Sequence, residues 1–214
     1  MLRICEEFMQ IITISPRGFG SNTYILTADN QTAVVIDPAH ASIKEELLKR
    51  GLKAAYVLLT HCHFDHVGGV AELQASGAKV LCSTEEAKLV GTEADAFGLA
   101  GLPRVEYTVD QTLSDGETVT LAGIEIKTIL TPGHTAGCAC YLVKTDDGEV
   151  LFTGDTLFAG TIGRTDLPTG NLRVLRQSLR KLAALTVDYP IYPGHQESTT
   201  LFAEKKINPF LRDA

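Results

Sequence analysis

Thr60-His61-Cys62-His63-Phe64-Asp65-His66-Val67-Gly68-Gly69 crowds three imidazoles and a carboxylate into positions 61–66. Neutral imidazole nitrogens and carboxylate oxygens suit zinc, iron or manganese. The apolar run before it, residues 54–59, has the length of a buried strand. The glycine pair after it opens a helical pattern through Ala71, Leu73 and Gln74. The ligands therefore fall on a strand-to-helix turn. His61 and His63 aim at one ion only if the backbone between them is looped or extended, because a helix points residues i and i+2 apart. Asp65 and His66 follow where the chain turns, and aim at a second position nearby. Cys62 lies between two ligands, so alternation sends its thiol the other way, into the core.

Three further polar residues each stand just beyond an apolar strand, one residue after a glycine. His134 follows Thr131-Pro132-Gly133, Asp155 follows Gly154, and His195 follows Pro193-Gly194. Glycine lets the backbone turn sharply and approach a ligand closely. Together with the 61–66 cluster these residues form one metal-binding constellation. His40 stands apart and reads as a surface residue leading into a helix. A metal-bound histidine needs its other ring nitrogen satisfied, and Asp37, at the end of the strand 33–36, is the candidate partner. It equally suits the start of the turn at Pro38.

The chain has 214 residues, 44% of them hydrophobic, enough for one sizeable core. Its formal charge of -7, from 19 basic and 26 acidic residues, argues against a nucleic-acid partner, which wants a basic footprint. Five cysteines with no paired framework fit a reducing compartment. The N-terminal Met1-Leu2-Arg3-Ile4-Cys5-Glu6-Glu7 carries acids where a signal peptide carries bases. No apolar run approaches the ~18 residues of a membrane span. The expectation is a soluble, cytoplasmic protein with a small-molecule substrate and no membrane partner. No linker, repeat or low-complexity segment divides residues 1–214, so a single domain is expected.

Taken in order, residues 8–14 read as an edge strand, followed by a loop punctuated by Pro16, Gly18 and Gly20. Strands follow at 22–26 and 33–36. Ser42 with Glu45, and later Ser83 with Glu86, have the spacing of capping boxes. Residues 79–82 form another strand. Residues 91–103, rich in glycine, read as a surface connector; a wall of the active site is the sharper alternative. Hairpins are expected around Ala122-Gly123 and Asp146-Asp147-Gly148. Leu172, Leu175, Leu179 and Leu182 mark one helix face. A short strand at 189–192 precedes a C-terminal helix over 198–207. Strands in two groups with helices between them predict an α/β protein, a four-layer αββα sandwich.

The H-x-H-x-D-H run, the later Gly-His, the Gly-Asp and the final Gly-His resemble the metallo-β-lactamase superfamily from about residue 22 to 209. Thr60-His61-Cys62-His63, Thr131-Pro132-Gly133-His134-Thr135, Phe152-Thr153-Gly154-Asp155-Thr156-Leu157-Phe158 and Gly163-Arg164-Thr165-Asp166 resemble its glyoxalase II-like hydrolases. That resemblance implies one divalent ion held by His61, His63 and His134, a second by Asp65, His66 and His195, and Asp155 bridging both. Zinc is the usual metal of the family, with iron or manganese also accepted. It implies hydrolysis of small thioesters by a metal-bound hydroxide, which Asp65 would orient, with S-lactoylglutathione the leading candidate. Arg164 is a candidate for holding a substrate carboxylate, or for pairing with Asp166. Only 19 residues follow His195, and Glu197 replaces a tyrosine of full-length glyoxalase II. Both departures imply the short single-domain group and a different or looser thioester substrate. The alternative is an iron-dependent persulfide dioxygenase of the same fold, which shares the Gly-Arg-Thr-Asp stretch and uses a single iron.

Overall fold

Val34, Val35 and Ile36 place apolar side chains on both faces of one strand, because neighbours along a strand point opposite ways. Such a strand needs cover on each side. Val35 packs with Val57, Leu59 and Val80 on one side. Val34 and Ile36 pack on the other with Leu58 and Leu81, and with Ile126, Tyr141 and Phe152 of a facing sheet.

The computed structural model describes residues 8–15, 18 and 20–212. Among these, β1 Gln10–Ile14, β2 Thr23–Thr27, β3 Thr32–Ile36, β4 Lys53–Leu58, β5 Lys79–Ser83 and β6 Gln111–Leu113 form one sheet in sequential order. Its first three strands are antiparallel, and β3 to β6 are parallel. The second sheet contains β7 Thr118–Leu121, β8 Ile124–Leu130, β9 Ala139–Thr145, β10 Gly148–Gly154, β11 Pro190–Pro193 and β12 Thr199–Thr200, again in sequential order. Only its β10–β11 pair is parallel.

Helices α1 Ile43–Lys49, α2 Phe64–Val67, α3 Val70–Ala75, α4 Thr84–Ala87 and α5 Phe97–Ala100 belong to the first half of the chain. Ile43, Leu47, Val67, Val70, Leu73 and Phe97 bury their side chains against the outer face of the first sheet. Helices α6 Leu172–Ala183, α7 Leu201–Ile207 and α8 Pro209–Arg212 cover the second sheet. There Leu175, Leu179, Leu182, Leu201 and Leu211 meet Ile129, Leu142 and Leu151. The result is the four-layer αββα sandwich that the strand pattern predicts.

Several local details differ from the sequence reading. Ser42 makes no side-chain cap at α1. Ser83 does cap α4 through the Glu86 N–H, but the Glu86 carboxylate is used elsewhere. The edge strand β6 has too short an apolar pattern to be read. The expected helix over 198–207 begins only after β12, and α8 follows it, because Pro209 restarts the chain. The heptapeptide containing Cys5, and Pro16, lie outside the described residues. Among the described residues no helix is long and apolar enough to cross a membrane.

The two sheets are laced together at the end where β4, β8, β10 and β11 terminate. Backbone bonds run from Asn22 N to Gly194 O (2.7 Å) and from Ala139 N to Thr60 O (3.0 Å). Tyr24 donates its hydroxyl to Pro193 O (2.6 Å) and Tyr141 donates to Leu59 O (2.7 Å).

Candidate metal centre

At that laced end the structure brings His61, His63 and His134 together, with one ligand atom of each within 4.8 Å of the others. Asp65, His66 and His195 form a second such group. His61 and His63 lie on the irregular turn after β4, whereas Asp65 and His66 sit on the single helical turn α2. Asp155 lies between the groups. Its Oδ1 is 3.3 Å from His66 Nε2, and its Oδ2 is 3.5 Å from both His134 Nε2 and His195 Nε2. Asp65 Oδ2 stands 3.2 Å from His195 Nε2 and 3.9 Å from His66 Nε2. Gly194 permits this approach, since a Cβ there would lie 2.3 Å from Asp155 Oδ1 and 2.8 Å from His66 Cε1.

The hydrogen bonds behind the imidazoles fix which nitrogens face inward. His134 Nδ1 lies 2.7 Å from the Arg164 carbonyl, an acceptor, so Nδ1 carries the proton and Nε2 offers a lone pair. His66 Nδ1 donates to Asp37 Oδ2 at 2.9 Å, with the same consequence. Thr60 donates its hydroxyl to Asp37 Oδ2 (2.6 Å) and so can accept from His61 Nδ1 at 3.1 Å. Asp37 also accepts the Thr60 N–H at 2.8 Å. One buried carboxylate thus fixes two histidines. Asp37 falls within ligand distance of His61 and His66, but its oxygens are already engaged by Thr60 and His66.

The interior that results is lined by acceptors. His61 Nε2, His63 Nε2, His66 Nε2 and Asp155 Oδ1 are buried without hydrogen-bond partners. Buried acceptors converging without donors are costly unless a cation joins them. The donor set of imidazole and carboxylate, with no thiolate, fits divalent metal ions.

Protonation follows the same logic. Burial and the surrounding imidazoles hold His61 well below the ordinary histidine value, and burial holds His63 down at about 3. Burial raises the pKa of Asp65 and Asp155, but facing histidines outweigh it and keep both below the usual carboxylate range. Burial opposes protonation of His66 as well, yet Asp155, Asp65 and Asp37 outweigh it and raise that group well above the ordinary value.

Cys62 is fully buried in the core of the first half and belongs to neither ligand group. Arg164 contributes its carbonyl to His134, while its guanidinium forks onto Asp166 at 2.6 and 2.7 Å on the exposed surface. His40 is not the surface residue its position suggests. It is half-buried, packs over Gly20, and leaves Nε2 enclosed without a partner.

Glu86 is the functional residue that sequence reasoning missed. Its fully buried carboxylate accepts the N–H of Cys62 (2.8 Å) and the hydroxyl of Thr135 (2.6 Å). It ties the turn bearing His61 and His63 to the turn bearing His134. Burial raises its pKa. Its spacing from Ser83 signals only a helix cap, and nothing local points 24 residues back or 49 ahead.

The Metallo-beta-lactamase superfamily profile matches residues 16–195. A hydroxyacylglutathione hydrolase, GloC, of Haemophilus influenzae is 36% identical over 95% of this chain and 98% of its own length. Among solved structures, the BLEG-1 B3 metallo-beta-lactamase superposes with a TM-score of 0.84 at 32% identity, covering 94% of this chain and 99% of that one. TTHA1623 in a di-iron-bound form gives 0.79 at 32% identity, covering 94% and 100%. ETHE1 from Myxococcus xanthus gives 0.75 at 26%, covering 94% and 84%. The two facing sheets, the histidine-rich centre at their laced end and these likenesses agree: the chain belongs to the metallo-β-lactamase superfamily and is a metallo-hydrolase of that superfamily.

Proposed function

We propose that this protein is a dinuclear metallohydrolase that cleaves small thioesters. The observation that carries the reading is Asp155, whose two oxygens face histidines of both ligand groups. His61, His63 and His134 would hold one ion, Asp65, His66 and His195 the other, with Asp155 shared. Zinc is the first choice for such donors, and iron and manganese suit them too. When bound, two divalent ions supply Lewis acidity and a water whose pKa is lowered towards ~7.

The chain's own residues supply position and proton acceptance. Asp65 is kept ionised by His66 and His195 against the effect of burial, so it remains an acceptor for a proton of the attacking water at neutral pH. Asp37 and the Arg164 carbonyl hold the imidazoles in the tautomers that face inward. Hydrolysis breaks the acyl C–S bond, places the hydroxyl of water on the acyl carbon and leaves its proton with the thiolate. A thiolate leaves readily, so no side-chain acid is required to protonate it.

S-lactoylglutathione is the leading substrate candidate, a reading supported by the GloC relative's name. We place the protein in the reducing cytoplasm, acting as a single domain on a small molecule without nucleic acid. The buried, unpaired thiols of Cys62, Cys82, Cys138 and Cys140 support that setting. The test is metal content of purified protein measured beside turnover of S-lactoylglutathione. Two ions per chain with turnover is the expected result; no turnover by fully loaded protein defeats the substrate assignment. A second reading, an iron-dependent persulfide dioxygenase, has the likeness to ETHE1 in its favour. One iron per chain with oxygen uptake on a persulfide would establish it instead.

A further inference from the structure

Beside Asp65 lies a cavity of about 340 Å³, within the ~300–1,000 Å³ range of small-molecule sites. Phe64, Phe97, Leu102, Pro103 and Val105 supply much of its wall, His40 adds a polar edge, and Asp65 both lines it and belongs to the second ligand group. Among the described residues no lysine or arginine lines it. The segment expected to be a surface connector, 91–103, is thus in part a wall of this cavity.

That wall is built. Ala96 takes a left-handed conformation, φ 61°, between the turn Glu93–Asp95 and α5, a strained choice for a residue with a Cβ. It lets Phe97 turn inward against Phe64, ring centroids 6.2 Å apart. Arg104 closes the segment by binding Asp95 and donating to Thr92 O at 2.9 Å, so its guanidinium is committed to the loop. Leu102 is left 49% exposed at the rim. On the His134 and His195 side of the centre, Asp166 engages Arg164 on the exposed surface, and Glu197 is exposed two residues after His195.

We infer that the cavity beside Asp65 receives an apolar acyl group, so that the site prefers thioesters whose acyl chain is longer and less polar than lactoyl. The inference rests on the thioesterase reading above and names the substrate class of that same site. The leaving thiol lies on the polar side, which accommodates a hydrophilic thiol, while the acyl chain leaves water against aromatic and aliphatic walls. Each methylene buried contributes roughly fourfold (~0.8 kcal/mol), so several together give tenfold or more even when partly realised.

The test holds the thiol constant and varies the acyl group. Metal-loaded protein is assayed with S-acetyl-, S-lactoyl- and S-hexanoylglutathione. The expected kcat/KM for hexanoyl exceeds that for acetyl at least tenfold. Leu102→Asp is expected to lower the hexanoyl-to-acetyl ratio at least tenfold, while Leu48→Asp, on the exposed face of α1, leaves that ratio unchanged. A flat acyl series, or a ratio indifferent to Leu102→Asp, overturns the inference. Binding separates it from the thioesterase reading: calorimetry with S-hexylglutathione and S-methylglutathione, neither hydrolysable, reads the cavity without turnover. If no thioester is cleaved yet the hexyl compound binds at least tenfold more tightly, the cavity stands and the thioesterase reading falls. Equal binding overturns the cavity whatever the turnover.

Discussion

Replacing Asp37 by Asn tests how the centre is held. The carboxylate is 2% exposed and accepts three hydrogen bonds, from Thr60 N–H, Thr60 Oγ–H and His66 Nδ1–H. An amide has one oxygen and one NH₂ group. If its oxygen serves the Thr60 N–H, its NH₂ faces Thr60 Oγ and His66 Nδ1. His66 must then give up the proton on Nδ1, and the proton moves to Nε2, the atom that faces Asp155. If the amide is flipped, its NH₂ meets the Thr60 N–H, donor against donor, in a buried place. Either arrangement spoils a ligand without changing the size of the side chain. Losing such an outer partner typically costs 10–100-fold in metal affinity, about 1.4–2.7 kcal/mol. Zinc titration of Asp37→Asn against a chelating indicator should show that loss, most strongly at the weaker step, with activity recovered by excess metal. An affinity within twofold of the unaltered protein would refute the tautomer argument.

Glu86→Ala leaves the Cys62 N–H without an acceptor and the Thr135 hydroxyl with only Cys138 Sγ, 3.0 Å away; at ~1–3 kcal/mol per buried orphan, urea unfolding of metal-free protein should show a loss of about 1–3 kcal/mol. Glu86→Gln keeps one acceptor and should lose about half as much, and a loss under ~1 kcal/mol for the alanine variant would mean the carboxylate ties nothing together. Arg164→Ala should leave metal affinity within twofold, since a backbone oxygen rather than the guanidinium holds His134; a tenfold loss in the same titration would contradict that. At Asp29, the N–H groups of Thr32 and Gln31 bind the carboxylate and lower its pKa from 3.8 to about 2. The unfolded chain therefore binds the proton first as pH falls. This stabilisation is complete above 3.8 and fades towards about 2, so thermal unfolding of Asp29→Asn should depend less on pH across that window; parallel curves would count against the assignment.

The layered fold was legible because each strand advertises its own burial. Unbroken apolar stretches such as 33–36 and 54–59 need cover on both faces, and Leu172, Leu175, Leu179 and Leu182 show the face of α6. The convergence at the sheet ends was legible for a related reason: His134, Asp155 and His195 each follow a strand that a glycine ends sharply. Residues whose roles depend on distant partners gave no such sign. Glu86 reads as a cap because only its link to Ser83 is local. Arg104 carries no local sign of its partners Asp95 and Thr92, 9 and 12 residues back. His40 sits beside α1 in sequence, yet Gly20 is what encloses it, and β6 carries just three residues of pattern.

Neither sheet holds a complete set of ligands. His61, His63, Asp65 and His66 precede β5, whereas His134, Asp155 and His195 follow β8, β10 and β11. A chain that has formed only the first sheet therefore carries two of the three residues of each candidate ligand group. His195 comes within 3.2 Å of Asp65 only once β11 is paired beside β10. On the proposed ligand assignment, full metal capture would wait for both sheets, and parting the two halves would break both ligand groups at once.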